Sequence, residues 1–366
     1  MTTLNEALTA WLEAHADGID TDGAHGDALL ARLAGAGLFL VGVPLDAGGS
    51  GGPLSASVRT VAALAEQSLG AAFVFWAQRA VIECLLASPN RALAGRLLPA
   101  LLDGRLAGAP GLSNAMKSLG GLERLRVSFA AGPDGLRLDG AVPWATNLHP
   151  QGFVALVAAG DAQGDNPSVF AIPHGASGVR CEPDLDLLAL CGTHTAALRL
   201  DGVPLDAAWQ LHPQARVFLP AIRPAFVGLQ CGLGLGLGRA AIAAARRALD
   251  GRPSILDGEL AALEADIEAC WQALSEGLDP GLDAGRWRER PRELLSTRLR
   301  MAGIAAEAVA LELQALGGRA LLRGQDGGYA RRAREAAFLA VVTPTVAQLK
   351  NDLARQGVPA APPANR

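Results

Sequence analysis

Apolar positions three and four residues apart run from the start of the chain to about residue 107. LNEALTAWLEAHA and GDALLARLAGAGL each gather their apolar side chains on one helical face. GLFLVGVPLDAGGSGG breaks this pattern, because Pro44, Gly48, Gly49, Gly51 and Gly52 punctuate it too densely for a helix to continue. SASVRTVAALAEQSLGAAFVFWAQRAVIECLLAS resumes it as one long, almost wholly apolar helix, expected to be buried on most sides. Near residue 108 the texture changes. RLRVSFAAG, GLRLDGAVPWAT, GFVALVAAG, SVFAIP and AALRLDGV are short β-branched or alternating runs parted by Gly, Pro, Asn and Asp, and they read as strands. Helical periodicity returns from about 215 to 355, with LDGELAALEADIEACWQALSEGL and RLRMAGIAAEAVALELQALGG as its long arms. GVPAAPPANR closes the chain as a proline-rich tail, expected to be disordered. Helices, then strands, then helices predict an α+β chain with three domains, 1–107, 108–212 and 213–355, and a tail over 356–366. The absence of alternating β and α units argues against a doubly wound parallel sheet.

One stretch tests that map. CGLGLGLGRAAIAAARRAL carries glycine at 232, 234, 236 and 238, which invites a dinucleotide-loop reading. That fingerprint needs G-x-G-x-x-G between a strand and a helix. Here the last glycine position falls on Leu237 or Arg239, and the preceding FLPAIRPAFVGLQ is helical. The row is therefore expected to be a helix whose glycines admit a close neighbour. Each costs about 1 kcal/mol relative to Ala, which tight packing must offset.

Composition narrows the function classes. The net charge is −4 with no basic stripe, so nucleic acid is not expected as a partner. Pro224 to Gly238, the longest uncharged apolar run, is too short to span a bilayer and is bracketed by Arg223 and Arg239. The N-terminal residues lack a basic segment followed by an apolar one, so a cytoplasmic protein is expected. Cys84, Cys181, Cys191, Cys231 and Cys270 show no metal-ligand spacing, and the six histidines are scattered. Buried thiols and no metal are the expectation.

Six strings in order resemble the acyl-CoA dehydrogenase superfamily of flavoproteins. They are GLFLVGVPLDAGG, LLPALLDGRLAGAPGLS, LDGAVPWATNLHPQGFVALVAAG, LLALCGTHTAALRLDGVPL, RPAFVGLQCGLGLGLGRAAIAAARRAL and QALGGRALLRGQDGGYARRARE, which fall in order between residues 37 and 335, and the resemblance covers most of the chain, from about residue 25 to 355. The resemblance implies an N-terminal helical domain, a central antiparallel β domain and a C-terminal four-helix bundle. It also implies FAD between the last two domains, with a neighbouring subunit completing the site in a homodimer or homotetramer. Leu112 and Ser113 would face the flavin ring, flanked by Trp144 and Thr146, with Ser118 near the pyrophosphate. Gln314, Gly317 and Gly318, with Arg252 and Thr345, would complete the cofactor contacts. Arg223 would meet an acyl-CoA. Taken alone, Trp144 reads equally as a core aromatic, Ser113 as a turn residue and QALGG as a helix C-cap.

The chain also departs from the family. Counting nine residues on from Arg334 places Thr343 in the usual seat of the catalytic glutamate, and Ile222 occupies the alternative seat. A neutral hydroxyl is no base near pH 7, and losing general-base help costs about 10²–10⁴-fold. The RxxFG-type cofactor contact is reduced to Arg252 in GRPSILDGELAAL. Three expectations follow. One is an FAD-dependent, acyl-CoA dehydrogenase-like oxidoreductase acting on an acyl-thioester. It would have an atypical or partner-supplied base, in a homo-oligomer or in a heteromer with a complete homologue. Glu83 is a possible base, though an ordinary helix carboxylate is the commoner reading. The second is a flavin monooxygenase or N-hydroxylase, with His149 as a stand-in group. The third is a non-catalytic homologue acting as a pathway partner.

Overall fold

A computed structural model describes residues 4–132, 135–161, 166–279 and 286–355; the tail over 356–366 lies outside the described residues. Five helices come first: α1 (Glu6–Thr21), α2 (Gly26–Gly35), α3 (Leu54–Gln67), α4 (Leu69–Leu86) and α5 (Arg91–Leu102). The run expected as one long helix is two. Ser68 is extended (φ −156, ψ 117), and its hydroxyl accepts the Ala71 N–H at 3.3 Å, ending α3 and capping α4. The Leu69 N–H donates to Glu335 Oε1 at 2.9 Å, so a fully buried carboxylate sits on the positive end of α4. Burial pushes the Glu335 carboxyl up and the Arg331 guanidinium opposes that shift.

Strands β1 (Ala107–Ala109), β2 (Val127–Gly132), β3 (Gly135–Ala145), β4 (Phe153–Ala159), β5 (Ser168–Pro173), β6 (Val179–Cys181), β7 (Ala196–Leu205) and β8 (Gln210–His212) follow, with the short helix α6 (Ser113–Leu119) after β1. They form two four-stranded sheets, ordered β1-β4-β5-β8 and β2-β3-β7-β6. The pairs are antiparallel except β1 with β4, where Ala107 lies opposite Phe153 in parallel register. The domain is the central antiparallel one expected, with this single parallel pair inside it. The pair's physical origin is the long return from β1 through α6, β2 and β3, which lets β4 run alongside β1. Every residue of β4 is buried, as a strand covered on both faces must be.

The C-terminal helices are α7 (Ala215–Leu249), α8 (Asp257–Leu278), the single turn α9 (Arg286–Glu289), α10 (Pro291–Leu316), α11 (Tyr329–Leu339) and α12 (Val346–Arg355). Helices α4 and α7 are apolar and long enough to cross a membrane, yet both are mostly buried within this protein. The glycine row lies in the middle of α7. A Cβ on Gly232 would stand 2.7 Å from the Val58 carbonyl of α3, and one on Gly236 would collide with the Ala62 carbonyl of the same helix. A Cβ on Gly234 would reach the Met301 carbonyl of α10 at 2.8 Å. Alternate glycines therefore face opposite neighbours, because two residues turn a helix by about 200°. The row lets α7 pass between α3 and α10 at close range, and no loop forms there.

Candidate functional site

The site begins with a buried amide pair. Gln78 on α4 donates to the carbonyls of Leu101 and Leu106 at 2.8 Å, and its Oε1 accepts from Gly108 N–H and from Asn147 Nδ2 at 2.6 and 3.0 Å. Asn147 takes a left-handed backbone (φ 67), which asparagine tolerates better than most residues. Its N–H donates to the Thr193 carbonyl at 2.9 Å, and the Leu148 N–H to the His194 carbonyl at 3.0 Å. These bonds tie the end of β3 to the turn before β7. They bring Thr146 Oγ1 to 3.0 Å from Thr195 Oγ1, which lies 2.8 Å from Thr193 Oγ1.

The three threonines form one wall of a cavity of about 540 Å³ between the sheets, α4, α7 and α11. A second wall is aromatic. Phe73 stacks on Trp76 at 5.0 Å between centroids, and Phe338 meets Phe73 edge-on at 4.7 Å. Phe226 meets Trp76 edge-on at 5.0 Å, and the Trp76 indole N–H donates to the Phe226 carbonyl at 3.2 Å. Residues Leu187 to Leu190 close the side toward solvent. The mouth is apolar and open: Trp144 is 57% exposed, Val341 65% and Leu188 80%.

The described lining residues include two cations and no carboxylate. Lys117 pairs with Glu123 at 3.0 Å, and hydrogen bonds from Lys117 and then Asn114 hold the Glu123 carboxyl below its ordinary range. Arg334 donates through Nη2 and Nε to Asp20 Oδ2 at 2.7 and 2.8 Å. Asp20 is buried, and its other oxygen accepts the Leu190 N–H at 2.9 Å. One carboxylate thus joins α1, the loop before β7 and α11.

Of the residues singled out from sequence, Ser113, Trp144, Thr146 and Thr343 line this cavity together. Leu112 is fully buried just before α6, with its carbonyl accepting the Met116 N–H. Ser118 lies farther along α6, outside the lining. Thr345 and Gln348 form a reciprocal cap at the start of α12, each side chain accepting the other's backbone N–H at 3.1 Å. Gly317 (φ 56) ends α10 as its C-cap, beside exposed Gln314 and Gly318. Arg252 is exposed in the turn after α7. Ile222 is buried on α7, and the positive charge of Arg223 acts on the Asp352 carboxyl, which burial raises. None of these nine predicted residues, from Leu112 to Arg223, lines the cavity.

Glu83 does not line it either. The fully buried Arg79 binds it at 2.5 Å, and burial pushes the carboxyl up and the guanidinium down. The pair's mutual attraction opposes both shifts, and the 2.5 Å contact marks a charged, structural pair. His149 is equally committed. The Gln151 N–H donates to its Nδ1 at 3.2 Å, so its proton is on Nε2, which donates to the Asp27 carbonyl at 3.2 Å. His149, His194 and Asp27 have ligand atoms within 4.8 Å of one another, but His149 keeps no free lone pair for an ion.

Sequence reasoning passed over Phe73, Trp76, Thr193, Thr195, Phe226 and Phe338. Two signals were present: the aromatics of FVFW on an otherwise small-residue helix, and the repeated hydroxyl of CGTHT.

The model of the acyl-CoA dehydrogenase N-terminal domain matches residues 2–105. No curated protein sequence matches the chain. Among solved structures, butyryl-CoA dehydrogenase from Megasphaera elsdenii superposes with a TM-score of 0.80 at 17% identity, over 96% of this chain and 94% of that one. KijD3 in complex with FMN and dTDP-3-amino-2,3,6-trideoxy-4-keto-3-methyl-D-glucose gives 0.78 at 20%, over 96% and 91%. PigA with FAD and proline gives 0.76 at 15%, over 97% and 98%. Residues 2–105 thus match the N-terminal domain of the acyl-CoA dehydrogenases, and the chain as a whole shares the fold of these solved structures.

Proposed function

We propose that the protein is a flavin-dependent oxidoreductase whose reaction needs no carboxylate base from its own pocket. The observation that carries this reading is the cavity's composition: Ser113, Trp144 and Thr146 converge on it, aromatic rings line its depth, and its described lining holds no Asp or Glu. The residues fit a flavin. Trp144 offers a largely exposed indole face at an apolar mouth, which a planar ring would cover, and the threonine row offers polar atoms beside it.

A bound flavin supplies two-electron redox chemistry and, when reduced, reaction with dioxygen. The chain's residues would hold the ring, exclude water with Phe73, Trp76, Phe226 and Phe338, and orient an anionic group with Lys117 or Arg334. The empty-of-acid pocket supports the monooxygenase or N-hydroxylase reading, because abstraction of a proton α to a thioester requires a base within reach. FAD is the cofactor the sequence resemblance implies. Gln314, Gly317 and Gly318 are exposed beside the apolar Leu321 and Leu322, which supports a second copy of the chain completing an FAD site there.

The match to the acyl-CoA dehydrogenase N-terminal domain favours a second reading, oxidation of an acyl-thioester with a base supplied by a partner subunit. One experiment separates them. Protein purified without added flavin is examined by absorbance and then titrated with FAD and with FMN. Bleaching of the bound flavin by an acyl-CoA panel without oxygen supports the second reading. A flavin untouched by acyl-CoAs supports the first. Failure to bind either flavin sinks both.

A further inference from the structure

The proton directions of the three pocket hydroxyls follow from the geometry. Thr193 Oγ1 is 2.8 Å from the Leu190 carbonyl, which can only accept, so Thr193 donates to it. A hydroxyl has one proton. The 2.8 Å contact between Thr193 and Thr195 therefore needs Thr195 as donor, and the 3.0 Å contact between Thr195 and Thr146 needs Thr146 as donor. One arrangement satisfies all three contacts: Thr146 to Thr195, Thr195 to Thr193, Thr193 to the Leu190 carbonyl. Its end is fixed, because Leu190 is held in a left-handed conformation (φ 59) by its bond to buried Asp20. All three threonines are buried, so bulk water does not compete for these protons. The row faces the cavity with lone pairs and no proton to give.

We propose that this one-way chain makes Thr146 an obligate hydrogen-bond acceptor toward the cavity, so that the site binds the reduced form of a flavin in preference to the oxidised form. The inference rests on the flavin reading above. An oxidised isoalloxazine has unprotonated ring nitrogens, and these meet a lone pair without a hydrogen bond. Two-electron reduction places a proton on such a nitrogen and converts the contact into a hydrogen bond. Thr193 and Thr195 are positioning residues that set the polarity of Thr146.

The test uses the full chain and the dissociation constants of oxidised and dithionite-reduced FAD, measured by anaerobic titration. The wild type is expected to bind the reduced form more tightly. Thr195→Val removes the acceptor for Thr146 and frees its proton to turn into the cavity. The preference for reduced flavin should then fall about fivefold, equivalent to about 20 mV in a two-electron potential at 29.6 mV per tenfold. Thr195→Ser restores the chain and the preference. Thr193→Val frees the Thr195 proton to turn toward Thr146, moves the ratio in the same direction, and carries the test if Thr195→Val does not fold. Binding of both forms by the wild type with an unchanged ratio in Thr195→Val and Thr193→Val overturns the proposal alone. If the wild type binds neither form, the flavin reading falls, and the proposal with it.

Discussion

Two rows of small residues at every second position sit in different parts of this molecule. The glycines at 232, 234, 236 and 238 look like a nucleotide loop and are helix packing. Thr193 and Thr195, in the plain string CGTHT, face a cavity with Thr146 and are joined to one another by hydrogen bonds. The difference is conformational. On α7 an interval of two turns each glycine to the opposite side, so the row touches α3 on one side and α10 and α8 on the other, and encloses nothing. Before β7 the chain is irregular, with His194 in a left-handed conformation and turned toward Asp27 and Asp184, so Thr193 and Thr195 meet on the other side. Spacing alone says little until the backbone carrying it is known.

The sharpest way to break that contrast is Gly236→Ala. Its Cβ would collide with the Ala62 carbonyl, backbone that cannot swing aside, and a loss of about 3 kcal/mol or more is expected in urea unfolding. A stable Gly236→Ala protein would mean that α7 and α3 are not in close contact. Glu83→Gln should cost about 3 kcal/mol, since it leaves Arg79 as an unpaired buried cation. The same variant should leave the flavin affinity at the wild-type value, as expected of a structural pair outside the pocket.

Trp144→Ala should leave the melting temperature in place, because the ring is largely exposed, while flavin affinity falls about tenfold through lost ring contact. Gly318→Ala offers a glycine of the opposite kind. An added Cβ there meets nothing within 4 Å and the backbone is unstrained, so stability should stay within about 0.5 kcal/mol. A drop in FAD affinity with FMN affinity unchanged would place a second copy's cofactor against that turn.

The smallest effect is chemical. Burial pushes the Cys231 thiol, just before the glycine row, up to about 12, and raises Cys84 as well. Raised values leave almost no thiolate at pH 8. Both should resist alkylation in the folded protein, while exposed Cys181 reacts first.

Much of the architecture was legible in the order of helical and strand periodicities, because periodicity reports which side of each element is buried. The break at Ser68 was not, since the apolar pattern continues through it and a buried carboxylate 267 residues later helps to hold it open. Trp144 and Thr146 were legible from the WATN context, and they share a cavity with Ser113 and Thr343. Thr195 was not, because its partner lies 49 residues away and only the zipped turns bring the hydroxyls together. Arg334 was visible only as a place to count from. Its position over the cavity depends on Asp20, more than 300 residues earlier in the chain.

Local pattern along the chain was enough for the helix–strand–helix order, the lack of a dinucleotide loop and the family resemblance. Tertiary structure alone decided that Glu83 is neutralised by Arg79, that His149 is locked by Gln151 and Asp27, and that three threonines point their protons one way. Those outcomes depend on distances between residues remote in the chain, and a hydroxyl's proton goes wherever its nearest acceptor lies.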